Sequence, residues 1–407
     1  MRAPAWMLAP LQRPGAARAA DRIFFTAEPR ADARAHVLIA PPGRGNIGDQ
    51  ALVEAFVEAT DGPVKVVARS REDLDIPSHL AARMTVVPLP ALVYGTALGR
   101  ARDLRTLSRL MADARSFSVI GADVMDGAYV ERASVSRSLL ARRAAELGFD
   151  SRIVGFSWNA SPSAGARAAL AAASAAGVAL HLRDPYSAER ARRDGLSVRD
   201  AADIVFTSRT RDDDAPQRWI PGLAAAERLA LVNASGLVGA DVDAYTETVA
   251  MLRGHGYRVA LIPHVSRHGA DDLPLCRAIA EPFQDDPGVT LVPRLISPRE
   301  IRGLGARADV TITGRMHLAV MSLMAGTPAV TVATQGKVEG LMSLFDAPQL
   351  CVEPGEGFER RLRLAVAGTL AALAGTSAAI AARVPDVVGL AWENVEGLSA
   401  AVTEGVR

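Results

Sequence analysis

Two short segments carry most of the residues whose types and spacing can do chemistry. The first is Gly43-Arg44-Gly45-Asn46-Ile47-Gly48, a GxGxxG pattern between an apolar run and a helix-like one. Glycines in such a loop let backbone amides approach a phosphate or carboxylate at a helix N-terminus. A dinucleotide site also wants an acidic residue about 20 positions on. The next apolar run ends instead in Ala68-Arg69-Ser70-Arg71. An NADP site with Arg69 and Arg71 on a 2′-phosphate therefore stays open, as does a tight turn that needs glycine only for packing. Neither accounts for Asn46 with Asp49, an amide and a carboxylate placed to meet a polar ligand beside Arg44.

The second segment is Thr313-Gly314-Arg315-Met316-His317-Leu318, which follows an apolar run and opens a helix. A cation in a first helical turn opposes the helix dipole unless it serves an anion. Arg is the natural fork for a carboxylate or phosphate, and His trades a proton near neutral pH. A structural Arg315 paired with an acid of the N-terminal lobe, next to a packed His317, is the plainer alternative. Gln335-Gly336-Lys337 opens the following helix and presents a second cation. Two adjacent strand-to-helix turns, each with a cation, suggest a phosphate-sized site.

Other candidates are weaker. His264 and His268 have i,i+4 metal spacing, but the segment follows a strand, begins with proline and lacks a third ligand, so a polar ligand-lining loop is expected and no metal. Asp212-Asp213-Asp214 sits in a polar stretch and reads as a solvated loop. Arg183-Asp184 ends a strand and either contacts substrate or braces the fold. No GxSxG or Cys–His nucleophile pattern is visible, so covalent acyl transfer is unsupported.

The elements that must position these residues alternate between strand and helix. Strands are expected at Ala35–Ala40, Pro63–Arg69, Met84–Pro90, Phe117–Asp123, Ser151–Trp158, Gly177–Asp184 and Ala202–Thr207. After the polar stretch Ser208–Gly222, the expected linker, comes a second series, at Arg228–Ser235, Tyr257–Val265, Val289–Pro293, Ala308–Gly314 and Pro328–Thr334. Such alternation means parallel sheets covered on both faces. The expected fold is α/β: two Rossmann-like lobes facing across a cleft, with ligands at the carboxyl ends of the strands. Residues 1–34 read as a loose extension, 35–215 as the acceptor-side lobe, and 223–407 as the donor-side lobe with C-terminal helices.

Composition bounds the function. The chain has 407 residues, of which 49% are hydrophobic and 22% charged, a globular profile too long for one core. With 46 Lys+Arg against 45 Asp+Glu its net charge is +1, which argues against a nucleic-acid protein held by bulk phosphate attraction. Two cysteines, Cys276 and Cys351, make no disulfide framework and fit a reducing compartment. No apolar run is expected to reach the roughly 20 residues of a membrane span, and the N-terminus, broken by Pro4 and Pro10, makes a poor secretory signal. The expected location is cytoplasmic, with attachment to the inner face of a membrane left open.

Taken in order, these motifs resemble one family, the polysaccharide pyruvyl transferases. GNIGDQA (Gly45 to Ala51) looks like its GNxGDxA hallmark, and LRDPYSAERARRDGL (Leu182 to Leu196) is similar to its RDxxS-helix-G segment. ALIPHV resembles its strand ending in Pro-His, and GRMHLAVMSLMAGTPAV (Gly314 to Val330) its RxHxxxxxxxxGxP block, followed by GKVEGL. The similarity is collinear from about Val37 to Asp346. One departure lies in Phe117 to Tyr129, where Ala122-Asp123 replace the glycines of a glycine-rich segment.

The resemblance implies a GT-B-like fold, phosphoenolpyruvate as donor co-substrate with no further cofactor, and a pyruvyl ketal on a polysaccharide, cell-wall glycan or lipid-linked saccharide. Phosphoenolpyruvate is a small trianion, which suits Arg315 on its carboxylate and Lys337 with helix N-terminal amides on its phosphate. Protonation of the vinyl carbon and deprotonation of a sugar hydroxyl fall to His317 and Asp49. Asn46, Gly45, Gly48, Arg44, His264 and Arg183 complete the expected substrate contacts. A nucleotide-sugar glycosyltransferase and a non-catalytic sugar-phosphate binder of the same fold are the alternatives, and a homo-oligomer is left open.

Overall fold

The computed structural model describes residues 14–236, 241–267, 269–334 and 336–399. His268 and Gln335 lie outside the described residues, as does most of the proline-broken N-terminus. The chain separates into two compact units, one of Met1–Arg44, Leu52–Ser208 and Leu390–Arg407, the other of Gly45–Ala51 and Arg209–Gly389. Each is built on a single sheet whose pairings are all parallel.

In the first unit the strands are β1 (Ala35–Ile39), β2 (Val64–Ala68), β3 (Met84–Pro88), β4 (Ala114–Ala122), β5 (Asp150–Phe156), β6 (Ala179–Leu182) and β7 (Arg199–Asp200). Their order across the sheet is β3-β2-β1-β4-β5-β6-β7. In the second unit they are β8 (Arg228–Asn233), β9 (Tyr257–Leu261), β10 (Val289–Leu291), β11 (Val310–Thr313), β12 (Ala329–Val332) and β13 (Cys351–Val352), in the order β10-β9-β8-β11-β12-β13. Both orders are doubly wound, each reversing direction beside its first strand, where ligands gather at the carboxyl ends. The central strands β1 and β11 are buried along their whole length, which is why they read as continuous apolar runs.

Three departures from the sequence reading have local causes. Residues 14–34 are not loose: Pro14–Phe24 is a helix whose Asp21 accepts from the Arg100 guanidinium at 2.7 Å, both side chains buried. Burial pushes the Asp21 carboxyl up, and Arg100 opposes that rise. Ala202–Thr207, expected as a strand, contains instead a 3₁₀ turn, Ile204–Thr207, because the Asp203 carboxylate accepts from the Val205 amide at 3.0 Å. Arg209–Gly222 is not a free linker. Its helix Ala215–Trp219 belongs to the second unit, where the Trp219 indole donates to Glu300 at 2.9 Å.

The C-terminal sequence is helical, as expected, in Phe358–Ala371 and Leu373–Trp392. Among the described residues one helix, Leu373–Val395, reaches the length and mean composition of a membrane span, but Arg383, Pro385 and Asp386 interrupt it, so it is no unbroken apolar run. Only 11% of its most apolar window is buried, so it is not a core helix. At its end, Asn394 is buried in the first unit, accepting from the Gly155 amide at 2.8 Å and donating to the Ala202 carbonyl at 2.9 Å.

Ala122 closes β4 with φ +46°, a left-handed conformation that glycine adopts freely and alanine does not. The backbone shape of a glycine-rich turn is thus retained at this position without the glycine. Buried Ala→Gly changes ordinarily cost about 1 kcal/mol through lost methyl burial and added unfolded-state entropy. Relief of the left-handed strain, also about 1 kcal/mol, offsets this, so Ala122→Gly is expected to lie within about 0.5 kcal/mol of wild type in denaturant unfolding. A loss above about 1.5 kcal/mol would show that Ala122 is unstrained.

Three buried histidines make stability depend on pH. Burial lowers His36 to about 4 and His181 to about 3, against a usual 6.5. His264 is also held well below 6.5 by burial, then by the nearby His317 and Arg315. With the folded-state values lowered, the unfolded chain takes up the proton first as pH falls. The contribution is therefore complete above the unfolded value and is lost between it and the folded value, at about 1.4 kcal/mol per pH unit per histidine. The unfolding midpoint should fall steadily from pH 6.5 to pH 5, and His181→Phe should flatten that slope. A midpoint unchanged over this range would contradict neutral burial of the three rings.

Candidate active site

The site assembles at the carboxyl ends of β8, β9 and β11, within the second unit. Asn233, the last residue of β8, donates from Nδ2 to the Ile262 carbonyl at 2.9 Å and to Asp272 at 3.1 Å. Its Oδ1 accepts from the Thr313 hydroxyl at 3.1 Å, which ties β8 to β11 and to the loop after β9. Thr313 Oγ1 in turn accepts from the Arg315 amide at 2.9 Å, setting the entry to the helix Met316–Leu323.

Asp272 is the hub. It is fully buried, and its carboxylate accepts from Arg315 Nη2 at 2.5 Å and from Arg315 Nε at 3.1 and 3.2 Å. It also accepts from the backbone amides of His264 at 3.1 Å and Val265 at 3.0 Å. Arg315, itself buried, further donates to the Ala270 carbonyl at 3.1 Å. The guanidinium expected to meet a ligand carboxylate is thus taken up by an internal acid, in an extended backbone position just ahead of the helix. Such a pair fixes the loop 262–272 against the start of that helix.

The glycine loop joins this assembly rather than the first unit. Asn46 pairs with Val265 as an isolated antiparallel bridge, the Ser266 amide donates to the Gly45 carbonyl at 2.8 Å, and the Ile47 amide to the His264 carbonyl at 3.1 Å. Gly45 has φ +76°, and a Cβ there would lie 2.2 Å from the Ser266 carbonyl oxygen. Asn46 Oδ1 accepts from the Gly48 amide at 2.9 Å and so caps the helix Ile47–Ala59. That bond commits to local structure an amide expected to face a ligand.

Two contacts then join motifs far apart in sequence. A Cβ on Gly48 would lie 2.3 Å from His317 Nδ1, so only glycine lets the His317 ring lie against this loop. Asp49, in the first turn of its helix and nearly buried, accepts from Arg267 Nη2 at 2.7 Å. His264 is fully buried nearby, neither ring nitrogen meeting a hydrogen-bond partner, which keeps it neutral. The structure therefore brings together Gly45, Asn46, Gly48, Asp49, His264, Arg315 and His317.

Lys337 is buried at the start of the helix Lys337–Ser343, which comes after β12, the neighbour of β11. Arg44 is exposed and belongs to the first unit. So does Arg183, whose buried guanidinium donates to Asp203 at 3.0 Å and to Ser157 Oγ at 2.8 Å, a brace at the end of β6. Asp184 caps the next helix, accepting from the Ser187 amide at 2.7 Å.

The sequence reading missed Arg267 and Asp272. Arg267 lies within the PHVSRH segment and Asp272 four residues beyond it, but an acid and a base in a loop show no periodicity that would reveal their partners. Burial pushes both Cys276 and Cys351 up to about 12, away from the thiolate form.

Comparisons with known proteins bear on the family pattern and on the fold. The family model "Polysaccharide pyruvyl transferase" matches residues 142–336, a stretch that includes Arg183, His264, Arg267, Asp272, Arg315 and His317. The amylovoran biosynthesis protein AmsJ of Erwinia amylovora is 24% identical over 190 residues, spanning 42% of this chain and 46% of that protein. Among solved structures, UDP-GlcNAc 2-epimerase from Neisseria meningitidis bound to UDP-GlcNAc aligns with a TM-score of 0.61 at 10% identity, covering 89% of this chain and 98% of that one. Sucrose-phosphate synthase from Thermosynechococcus elongatus gives 0.55 at 15% identity, covering 90% and 96%. WaaG, a glycosyltransferase involved in lipopolysaccharide biosynthesis, gives 0.52 at 13% identity, covering 90% and 100%. At such identities the likeness speaks for the fold, the GT-B-like pair of Rossmann-like units. Over residues 142–336 the chain carries the pattern of the family that its motifs resemble, the polysaccharide pyruvyl transferases.

Proposed function

We propose that this protein transfers the pyruvyl group of phosphoenolpyruvate to hydroxyls of a saccharide acceptor, in the making of a polysaccharide, cell-wall glycan or lipid-linked precursor. The observation that supports it best is the convergence of separated motifs. Gly48 packs on His317 and Asp49 pairs with Arg267, so one short loop carries contacts to an imidazole and, through a carboxylate, to a guanidinium.

In this reading His317 protonates the vinyl carbon, leaving an oxocarbenium-like centre at the carbon that bears the phosphate. Asp49, paired with Arg267, takes the proton of the sugar hydroxyl that attacks that centre. The carbon–oxygen bond to phosphate then breaks, phosphate leaving with the proton held by Asp49, and a second hydroxyl closes the ketal as it gives its proton to His317. Arg267 and Lys337 supply positive charge for the anionic donor. Arg315 acts through Asp272, holding the loop and the His317 helix in register. Asn46, Gly45 and Gly48 shape the loop that lets His317 approach. Arg44 and Arg183, both on the first unit, are assigned to the acceptor side, Arg183 as a brace.

The test is incubation with phosphoenolpyruvate and a panel of glycans and lipid-linked saccharides, reading phosphate release and a pyruvyl mass shift on the acceptor. Thermal protection by UDP or GDP, with none by phosphoenolpyruvate, would replace this reading with nucleotide-sugar glycosyl transfer.

A further inference from the structure

The first unit holds a pocket of its own. It opens at the carboxyl ends of β1, β2 and β3, where Ala40, Pro41, Ala68, Leu92 and Tyr94 form much of its wall. It is a small, open pocket, and its lining is mostly apolar. Two guanidiniums interrupt that lining, Arg137 and Arg69, and no carboxylate does.

Arg137 is the unusual one. It projects from the helix Glu131–Glu146, is 1% exposed, and has no acidic partner among the described residues. Its Nε and Nη1 meet no hydrogen-bond acceptor. Its remaining contacts are to Tyr94: Nη2 donates to the phenolic oxygen at 3.3 Å, and the guanidinium centre stands 5.6 Å from the ring centroid. The buried arginines Arg100, Arg183 and Arg315 each have an anion, in Asp21, Asp203 and Asp272 respectively. Arginine stays charged whatever its surroundings, and a buried charge without a counter-charge is strongly unfavourable. Arg69, at the exposed side, reaches Asp73 at 3.8 Å, too long for a hydrogen bond.

The structure assigns this pocket as a binding site for an oxyanion, a carboxylate or phosphate on a compact body, with Arg137 as its ligand-holding residue. Three observations agree. Donors are unspent on a charged group that is buried, the walls suit a small apolar body, and the carboxyl edge of a parallel sheet is where such folds hold ligands. The assignment stands apart from the proposed donor chemistry, because every lining residue belongs to the first unit.

Isothermal titration of the full chain with inorganic phosphate, glucose 1-phosphate, glucuronate and neutral glucose tests it. The three anions should bind and glucose should not, and Arg137→Met should weaken the anions by at least about tenfold. Tighter binding of glucose 1-phosphate or glucuronate than of phosphate would make the natural anion saccharide-borne, and equal binding would make it a free anion. Diffraction from wild-type crystals soaked in selenate needs no folded variant: anomalous density within hydrogen-bond reach of Arg137 is expected. An empty pocket at saturating selenate overturns the assignment. So does an Arg137→Met chain that loses thermal stability while keeping its anion isotherms, since the arginine would then serve only the fold.

Discussion

Asp272→Asn is expected to destabilise the second unit by about 3–5 kcal/mol, because it leaves the buried Arg315 guanidinium without a counter-charge. The carboxylate takes three contacts from Arg315 and further ones from the amides of His264, Val265 and Gly236. An asparagine keeps the shape and one acceptor oxygen but neutralises the centre of that network. Removing both charges is a different matter, since a buried pair replaced by neutral groups of similar volume is often close to neutral. The double variant Asp272→Asn with Arg315→Met should therefore regain most of the loss. Thermal unfolding followed by hydrogen exchange on β8 and β11 would measure both. A single-variant loss under about 1 kcal/mol, or a double variant no better than the single, would refute the buried pair as the element that organises the site.

His317→Gln is expected to lower the rate of phosphate release from phosphoenolpyruvate by about 10²–10⁴, the usual contribution of a positioned proton donor, while leaving the unfolding midpoint near wild type. Glutamine roughly fills the imidazole's place but has no titrating proton. Gly48→Ala tests the same ring from the opposite side, because its new Cβ would meet Nδ1 at 2.3 Å and push the ring aside. It should also reduce turnover without removing any chemical group. If His317→Gln turned over at the wild-type rate, the donor role would pass to another residue.

Much of this fold was legible in one dimension. Strands such as Ala35–Ile39 and Val310–Thr313 are buried on both faces and so appear as unbroken apolar runs, each leading into a glycine turn and a helical repeat. The shortest strands were not legible. β7 and β13 have two residues each, too few to show any period. Ala202–Thr207 misled because its apolar content is that of a strand, while a single carboxylate, on Asp203, turns the backbone into a 3₁₀ helix. Pro14–Phe24 looked unstructured because the acid that anchors it, Asp21, pairs with Arg100, 79 positions away.

The same division holds at the site. Residue type and spacing singled out the two segments that the proposed chemistry uses: a glycine loop with Asp49, and a strand-to-helix turn with Arg315 and His317. These are local signals, carried by backbone conformations that only certain residues adopt. Partnership was decided only by the tertiary structure. It grouped the loop Gly45–Ala51 with the second unit, gave Arg315 to Asp272 and Asp49 to Arg267, and left Arg137 buried with two of its nitrogens unspent. The reason is physical: a charge takes its role from the counter-charge nearest in space and from its exclusion from water. Neither quantity is a property of neighbouring residues along the chain.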